Sequence, residues 1–247
     1  MNIVMVNGSP RRGKANSRVI LDEMRKRLGE GHAYRMIEPM VTTTATKADF
    51  EVDLIIIAFP LYIDCLHSQL LRWLISAEQL LAGERGKTAT LRPAMIAIAN
   101  NGFYEGVQNR GALDILVNFC ARTGIEWRGG AGIGSGEMML YLRDAPDTMF
   151  IKLPVSRLLD DMASLAAAVE SETPAREPPP HRFATHNFPW LVYKFMGHAS
   201  RLRLWGMQYA QCTSILPWLM LRGKWGMRVC CKRAETSGRT SLRRECP

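Results

Sequence analysis

Ile3-Val4-Met5-Val6-Asn7-Gly8-Ser9-Pro10-Arg11-Arg12-Gly13-Lys14-Ala15-Asn16-Ser17 decides the fold of this 247-residue chain. A short apolar run leads into a loop of glycine and hydroxyl-bearing residues, and a helix-forming segment follows. Strand, polar loop and helix in that order make an anion cradle. The backbone N–H groups at the helix start face the ligand, and the helix dipole adds partial positive charge. Ser9, Asn16 and Ser17 add side-chain donors, and Arg11, Arg12 and Lys14 add cations. The first twenty residues therefore read as the site of a phosphorylated ligand. The plainer alternative is an ordinary polar turn.

Two common phosphate loops fit poorly. Gly8 to Lys14 matches the first seven positions of G-x-x-x-x-G-K-[ST]. The eighth is Ala15, so the hydroxyl that would ligate Mg²⁺ is missing. Asp53 stands at the start of the next apolar run, whereas a metal-holding carboxylate is expected near a strand's end. Gly8 and Gly13 also lack the spacing of a dinucleotide-binding G-x-G-x-x-G.

The next signals repeat the pattern. Leu54 to Phe59 is apolar without alternation, as in a parallel strand buried on both faces. It runs into Pro60-Leu61-Tyr62-Ile63-Asp64 and then a helical pattern over 66–82. Ala94 to Ala99 is a second such run. It ends in Asn100-Asn101-Gly102-Phe103, ahead of a helix expected over 107–123. Further strands are expected at 2–7, 33–37 and 125–133, with helices at 16–29 and 147–172, the latter interrupted near Pro154. Alternating strands and helices imply an α/β fold with a doubly wound parallel sheet, here five strands in the order 2-1-3-4-5. Such a sheet gathers ligands at its carboxyl edge. The glycines at 129, 130, 132, 134 and 136 permit close approach of a ligand or partner, although a flexible surface loop is the plainer reading.

Gly8-Ser9-Pro10-Arg11 with Asn16-Ser17, then Pro60-Leu61-Tyr62, then Asn100 to Phe103, in that order over residues 1–172, resembles the flavodoxin-like NAD(P)H-dependent FMN reductases and quinone reductases. The resemblance implies an FMN site. Ser9, Arg11, Asn16 and Ser17 would hold the phosphate, and Pro60, Leu61, Tyr62 and Ile63 would border the ring. Asn100, Asn101, Gly102 and Phe103 would meet the ring's polar edge and face. The implied activity is transfer of electrons from NAD(P)H to a small acceptor such as a quinone, flavin, azo or nitro compound. The flavin carries that chemistry, so no catalytic side chain is required. His67, standing where the family commonly has proline, is a candidate proton donor or, more plainly, a capping histidine. The alternatives are an electron-transfer flavodoxin without its own NAD(P)H reaction, and a flavin-free scaffold that presents the tail.

Cysteine usage bears on metals and compartment. Cys65, Cys120, Cys212, Cys230, Cys231 and Cys246 include no C-x-x-C, so neither a metal centre nor an iron–sulfur cluster is expected. No signal peptide or disulfide framework is evident, which implies reduced thiols in the cytoplasm. Cys65 adjoins the second loop and is either redox-active or an inert thiol.

The last quarter is a different kind of sequence. Residues 173–180 are rich in Pro and Glu and read as a linker. Residues 181–247 carry twelve Lys or Arg against two Glu, whereas 1–180 carry twenty basic against twenty-one acidic residues. The whole net charge of +9 therefore lies in the tail. Apolar residues recur at helical spacing from Leu191 to Tyr209, which predicts a basic, aromatic helical extension over 181–228 and a disordered end over 229–247. Leu204 to Leu221 is free of charge, but Gln208, Gln211 and Pro217 make it a poor membrane span. The extension is read first as packing on the domain or on a second subunit in a homodimer, and next as a membrane-surface contact. Nucleic-acid binding ranks last, because no binding module is recognisable.

Overall fold

The computed structural model describes residues 1–11, 15–40, 43–83, 93–171, 179–187, 189–191 and 194. Residues 172–178, which include most of the linker expected at 173–180, lie outside the described residues, as does the tail beyond Leu191 apart from Lys194. Met1–Trp190 is one compact unit.

The apolar runs form parallel strands because both of their faces are covered. Strands β1 (Asn2–Asn7), β2 (Ala33–Ile37), β3 (Leu54–Pro60), β4 (Ala94–Asn100) and β5 (Glu126–Gly134) are joined by helices. These are α1 (Asn16–Leu28), α2 (Ser68–Gly83) and α3 (Arg110–Thr123); α4 (Met138–Tyr141) and α5 (Leu153–Ala167) follow β5. Successive strand residues point to opposite faces. Val4, Val6, Ile55, Ile57 and Met95 pack with Leu70 and Trp73 of α2 and Leu116 of α3. Ile3, Met5, Leu54, Ile56 and Ile96 pack with Ile20 and Met24 of α1 and Leu159 and Met162 of α5.

The sheet runs β2-β1-β3-β4-β5-β6, with every pairing parallel. This is the flavodoxin-like order with one strand more than the sequence predicts. The addition, β6 (Arg182–Thr185), lies where a helical extension is expected. It docks on β5 because the glycines there leave room. A Cβ on Gly130 would stand 2.7 Å from the His181 ring, and one on Gly132 would stand 2.7 Å from Phe183. The strand expected at 125–133 is observed as β5, and its glycines are buried in the sheet rather than in a flexible surface loop. Two further expectations shift. The first turn of the helix predicted from Val107 is a 3-10 turn over Gly106–Asn109. Pro154 starts α5 rather than interrupting a longer helix, since its missing N–H costs nothing in a first turn.

An ion-pair network fastens α1 to α5 and to the segment before it. Arg27, nearly buried, reaches Glu23 at 2.6 Å, Asp160 at 2.7 Å, Asp147 at 3.1 Å and the Ser156 hydroxyl at 2.8 Å. Lys152 joins Asp147 at 2.8 Å. Burial alone would raise the Glu23 carboxyl, but hydrogen bonds from Lys26 and Arg27 outweigh it and hold the group below its ordinary value.

Candidate functional site

Parallel strands deliver all their following loops to one edge of the sheet, and the singled-out residues lie there. The helix start after β1 has no capping side chain. Ala15, in extended backbone, occupies the N-cap, and its carbonyl accepts from the N–H groups of Arg18 and Val19. Among the described residues no side chain caps the N-terminus of α1. Ser9 is buried, and its N–H donates to Asn7 Oδ1 at 3.2 Å. Its hydroxyl accepts from Arg11 N–H at 3.2 Å. Ser17, also buried, accepts from Asn100 Nδ2 at 3.4 Å. Each hydroxyl thus accepts one hydrogen bond inside the loops, and among the described residues neither donates one. Gly8 is fixed against α2 and β3: a Cβ there would sit 2.6 Å from Leu70 and 2.8 Å from Phe59. Arg11 is exposed and Asn16 half-buried, with Asn16 Oδ1 itself buried and unpartnered.

Asn100 ties three loops together. Besides reaching Ser17, its Nδ2 donates to Phe59 O at 3.0 Å, and its carbonyl accepts from Leu61 N–H at 2.8 Å. Pro60 ends β3, and Leu61 and Tyr62 are half-buried. Tyr62 and Cys65 exchange both backbone hydrogen bonds, at 2.9 and 3.0 Å. Ile63 (φ 48°) and Asp64 (φ 57°) form the two-residue turn between them. Positive φ at both central positions defines a type I′ turn, which usually takes Asn or Gly. A β-branched residue there is an outlier, and this one is 100% exposed. His67 accepts from Gln69 N–H at 3.3 Å at the head of α2, with its ring 5.5 Å from Tyr62. That bond is a capping contact at the start of α2.

In the third loop Asn101 is buried, its Nδ2 donating to Glu105 O at 3.2 Å and its Oδ1 unpartnered. Gly102 is exposed, and the Phe103 side chain is 53% exposed.

A fourth loop, which the sequence reading marks only by its glycines and assigns no site residue, completes this edge. Gly134-Ser135-Gly136 packs under the third loop. Ser135 N–H donates to Phe103 O at 2.6 Å, and Gly136 N–H to Asn101 O at 2.7 Å. Ser135 has φ 51° and a buried, unpartnered hydroxyl. A Cβ on Gly136 would stand 2.9 Å from that of Asn100. The sequence signal was the run of small residues at the end of β5, which marks close approach as readily as flexibility. Tyr141 of α4, 79% exposed, follows this loop. The large apolar or aromatic residues exposed after β3, β4 and β5 include Ile63, Phe103 and Tyr141.

No family model and no curated protein sequence matches the chain. Solved structures do match its course. The flavodoxin, WrbA-like protein from Agrobacterium tumefaciens is 13% identical with a TM-score of 0.47, over 70% of this chain and 99% of that one. The NAD(P)H:quinone oxidoreductase from Methanothermobacter marburgensis is 14% identical with a TM-score of 0.44, over 71% and 99%. A flavone reductase is 12% identical with a TM-score of 0.49, over 72% and 66%. This chain has a flavodoxin-like fold. Its own sheet order carries that assignment.

The residues fit an FMN phosphate. Residues 8–17 contain no carboxylate, three cations and two hydroxyls. The nearby Glu38 carboxylate is engaged by Asn7 Nδ2 at 3.1 Å and faces Arg18 at 3.7 Å. Among the described residues there is no cluster suited to a metal ion, and no helix is long and apolar enough to cross a membrane.

Proposed function

We propose that this chain binds FMN at the carboxyl edge of its sheet and uses NAD(P)H to reduce a small acceptor such as a quinone, flavin, azo or nitro compound. The observation that carries the reading is the Asn100 junction. One buried residue, through its side chain to Ser17 and Phe59 and its backbone carbonyl to Leu61, joins a hydroxyl-bearing, acid-free helix start to the loops after β3 and β4. A phosphate on the first loop would be met by Ser9, Ser17 and the α1 N–H groups. A flat ring beside it would lie among Tyr62, Ile63 and Phe103. The bound flavin would supply the redox chemistry. The protein's part is to orient the ring, withhold acidic groups from the phosphate and leave one face open. The implied partner is a small electron acceptor, and the expected assembly is a cytoplasmic homodimer.

The test is an absorption spectrum after FMN addition and desalting, followed by anaerobic NADPH and then NADH. Retained flavin that bleaches with either nucleotide is the expected result. Retained flavin that bleaches with neither overturns the nicotinamide reaction and leaves an electron carrier. Failure to retain flavin overturns the FMN site itself.

A further inference from the structure

The third loop is held from outside its own strand. Its end, Tyr104-Glu105-Gly106, lies against the ends of β5 and β6, where backbone meets backbone. A Cβ on Gly106 would stand 2.6 Å from Ala184 O of β6 and 2.6 Å from Gly132 O of β5. A Cβ on Gly134 would meet Tyr104 O and stand 2.5 Å from Gly106 N. One peptide group at this contact is held on both sides. The Glu105 carbonyl accepts from Asn101 Nδ2 at 3.2 Å, and the Gly106 N–H donates to Thr185 Oγ1 at 3.3 Å. That carbonyl and that N–H belong to the same planar unit, so they cannot turn independently. Thr185 is itself anchored on either side. Its strand pairs with β5 through Gly134↔Thr185, and His181 Nε2 lies 2.9 Å from Asp114 Oδ1 of α3. Beyond it His186 is 1% exposed, and Asn187 N–H donates to Ile151 O and its Nδ2 to Phe150 O, both at 3.0 Å.

We propose that Thr185 is a positioning residue of the candidate site: through the Glu105–Gly106 peptide it fixes the side chain of Asn101. Without the Thr185 hydroxyl the Gly106 N–H loses its acceptor, and the peptide can turn away from Asn101 Nδ2. The two ends of the Asn101 amide move together, so the same turn displaces its Oδ1. Asn101 is 3% exposed, and its Oδ1 has no hydrogen-bond partner among the described residues. A buried acceptor in that state calls for a donor. The imide N–H of a flavin ring is a donor of that class. The strand that follows the Pro-rich stretch thereby sets an acceptor on the loop after β4. The use of that acceptor for a flavin rests on the FMN reading above; the hold of Thr185 on Asn101 does not.

The test uses the full chain with Thr185→Val, which keeps the side chain's shape and strand preference and removes the hydroxyl, and Thr185→Ser, which returns the hydroxyl alone. Amide exchange in the ligand-free protein reads the Gly106 N–H. The Asn101 side-chain amide resonances read the transmission, and FMN titration reads the site. Thr185→Val is expected to melt close to the native protein, to exchange Gly106 at least tenfold faster with β5 unchanged, and to shift the Asn101 resonances. It should bind FMN roughly tenfold more weakly, about one hydrogen bond's worth. Thr185→Ser is expected to restore most of these properties. Native exchange at Gly106, unmoved Asn101 resonances or native FMN affinity in Thr185→Val would overturn the proposal. So would an equal rise in exchange across β5, or a serine variant that behaves like the valine one, since either makes the contact merely structural. If the native protein binds no FMN, the FMN reading fails, while exchange and resonances still decide the hold on Asn101. If Thr185→Val does not fold, Thr185→Ala removes the same acceptor and is judged by the same readings.

Discussion

Replacing Ser9 and Ser17 with Ala separates a phosphate site from an ordinary turn. Each hydroxyl already accepts one internal hydrogen bond, at 3.2 Å from Arg11 N–H and 3.4 Å from Asn100 Nδ2, which leaves its proton to donate outward. A hydrogen bond to a charged group contributes about 1.5–3 kcal/mol, so each substitution should weaken FMN by roughly ten- to a hundredfold. Both hydroxyls serve one phosphate, so the double variant should lose less than the sum, on the order of 10²–10³. The fold should tolerate the changes. Asn100 Nδ2 keeps its bond to Phe59 O at 3.0 Å, and losing one weak neutral hydrogen bond costs about 0.5–1.5 kcal/mol. Fluorescence titration with FMN and with riboflavin is the assay, because riboflavin lacks the phosphate and keeps the ring. Weaker FMN with unchanged riboflavin is expected. Unchanged FMN affinity in the double variant, or an equal loss of riboflavin, would refute the assignment of these hydroxyls to a phosphate.

Two further predictions concern the frame. Arg27→Met should cost about 2–4 kcal/mol, because it strands the buried Glu23 carboxylate with only the largely exposed Lys26, 2.8 Å away, as partner. At roughly 2–4 °C per kcal/mol for a domain this size, melting should fall by about 5–15 °C. Glu23→Gln in the same chain should recover part of the loss, and a fall below about 1 °C would show the network to be idle. The second prediction is acid sensitivity at His186. The folded ring takes its proton near 4 and an unfolded one near 6.5, so between those values the unfolded chain holds more protons. Stability from this group is full above pH 6.5 and falls as pH drops towards 4, by about 3 kcal/mol at 1.36 kcal/mol per pH unit. Denaturation from pH 7 to 4 should be flatter in His186→Leu than in the native protein, and parallel curves would contradict this.

The parts of the fold legible in the sequence are those whose burial is two-sided. Ile3 to Val6, Leu54 to Phe59 and Ala94 to Ala99 are unbroken apolar runs because helices cover both faces, and no partner elsewhere in the chain is needed to read them. β6 is the opposite case. Arg182-Phe183-Ala184-Thr185 is a short, partly exposed edge strand with no alternation. What makes it a strand is the room left by Gly130 and Gly132, far away in sequence. The same glycines viewed alone suggest looseness. The candidate site divides in the same way. Ser9, Ser17 and Asn100 stand out because residue type and position after a strand suffice. Ser135 and His186 do not, because a left-handed serine and an unpartnered imidazole exist only once β4, β5 and β6 lie side by side.

That division bears on where the functional unit ends. Composition places a boundary at the Pro-rich stretch 173–180 and assigns everything after it to an appendage. The hydrogen bonds of Thr185 and Asn187 cross that boundary and end on the third loop and on the segment before α5. Asn100 joins the first three loops, and Ser135 and Gly136 join the third to the fourth. Any ligand held by this edge therefore depends on contacts that begin at Ser9 and finish at Asn187. The compact unit so built runs from Met1 to Trp190, ten residues past that boundary.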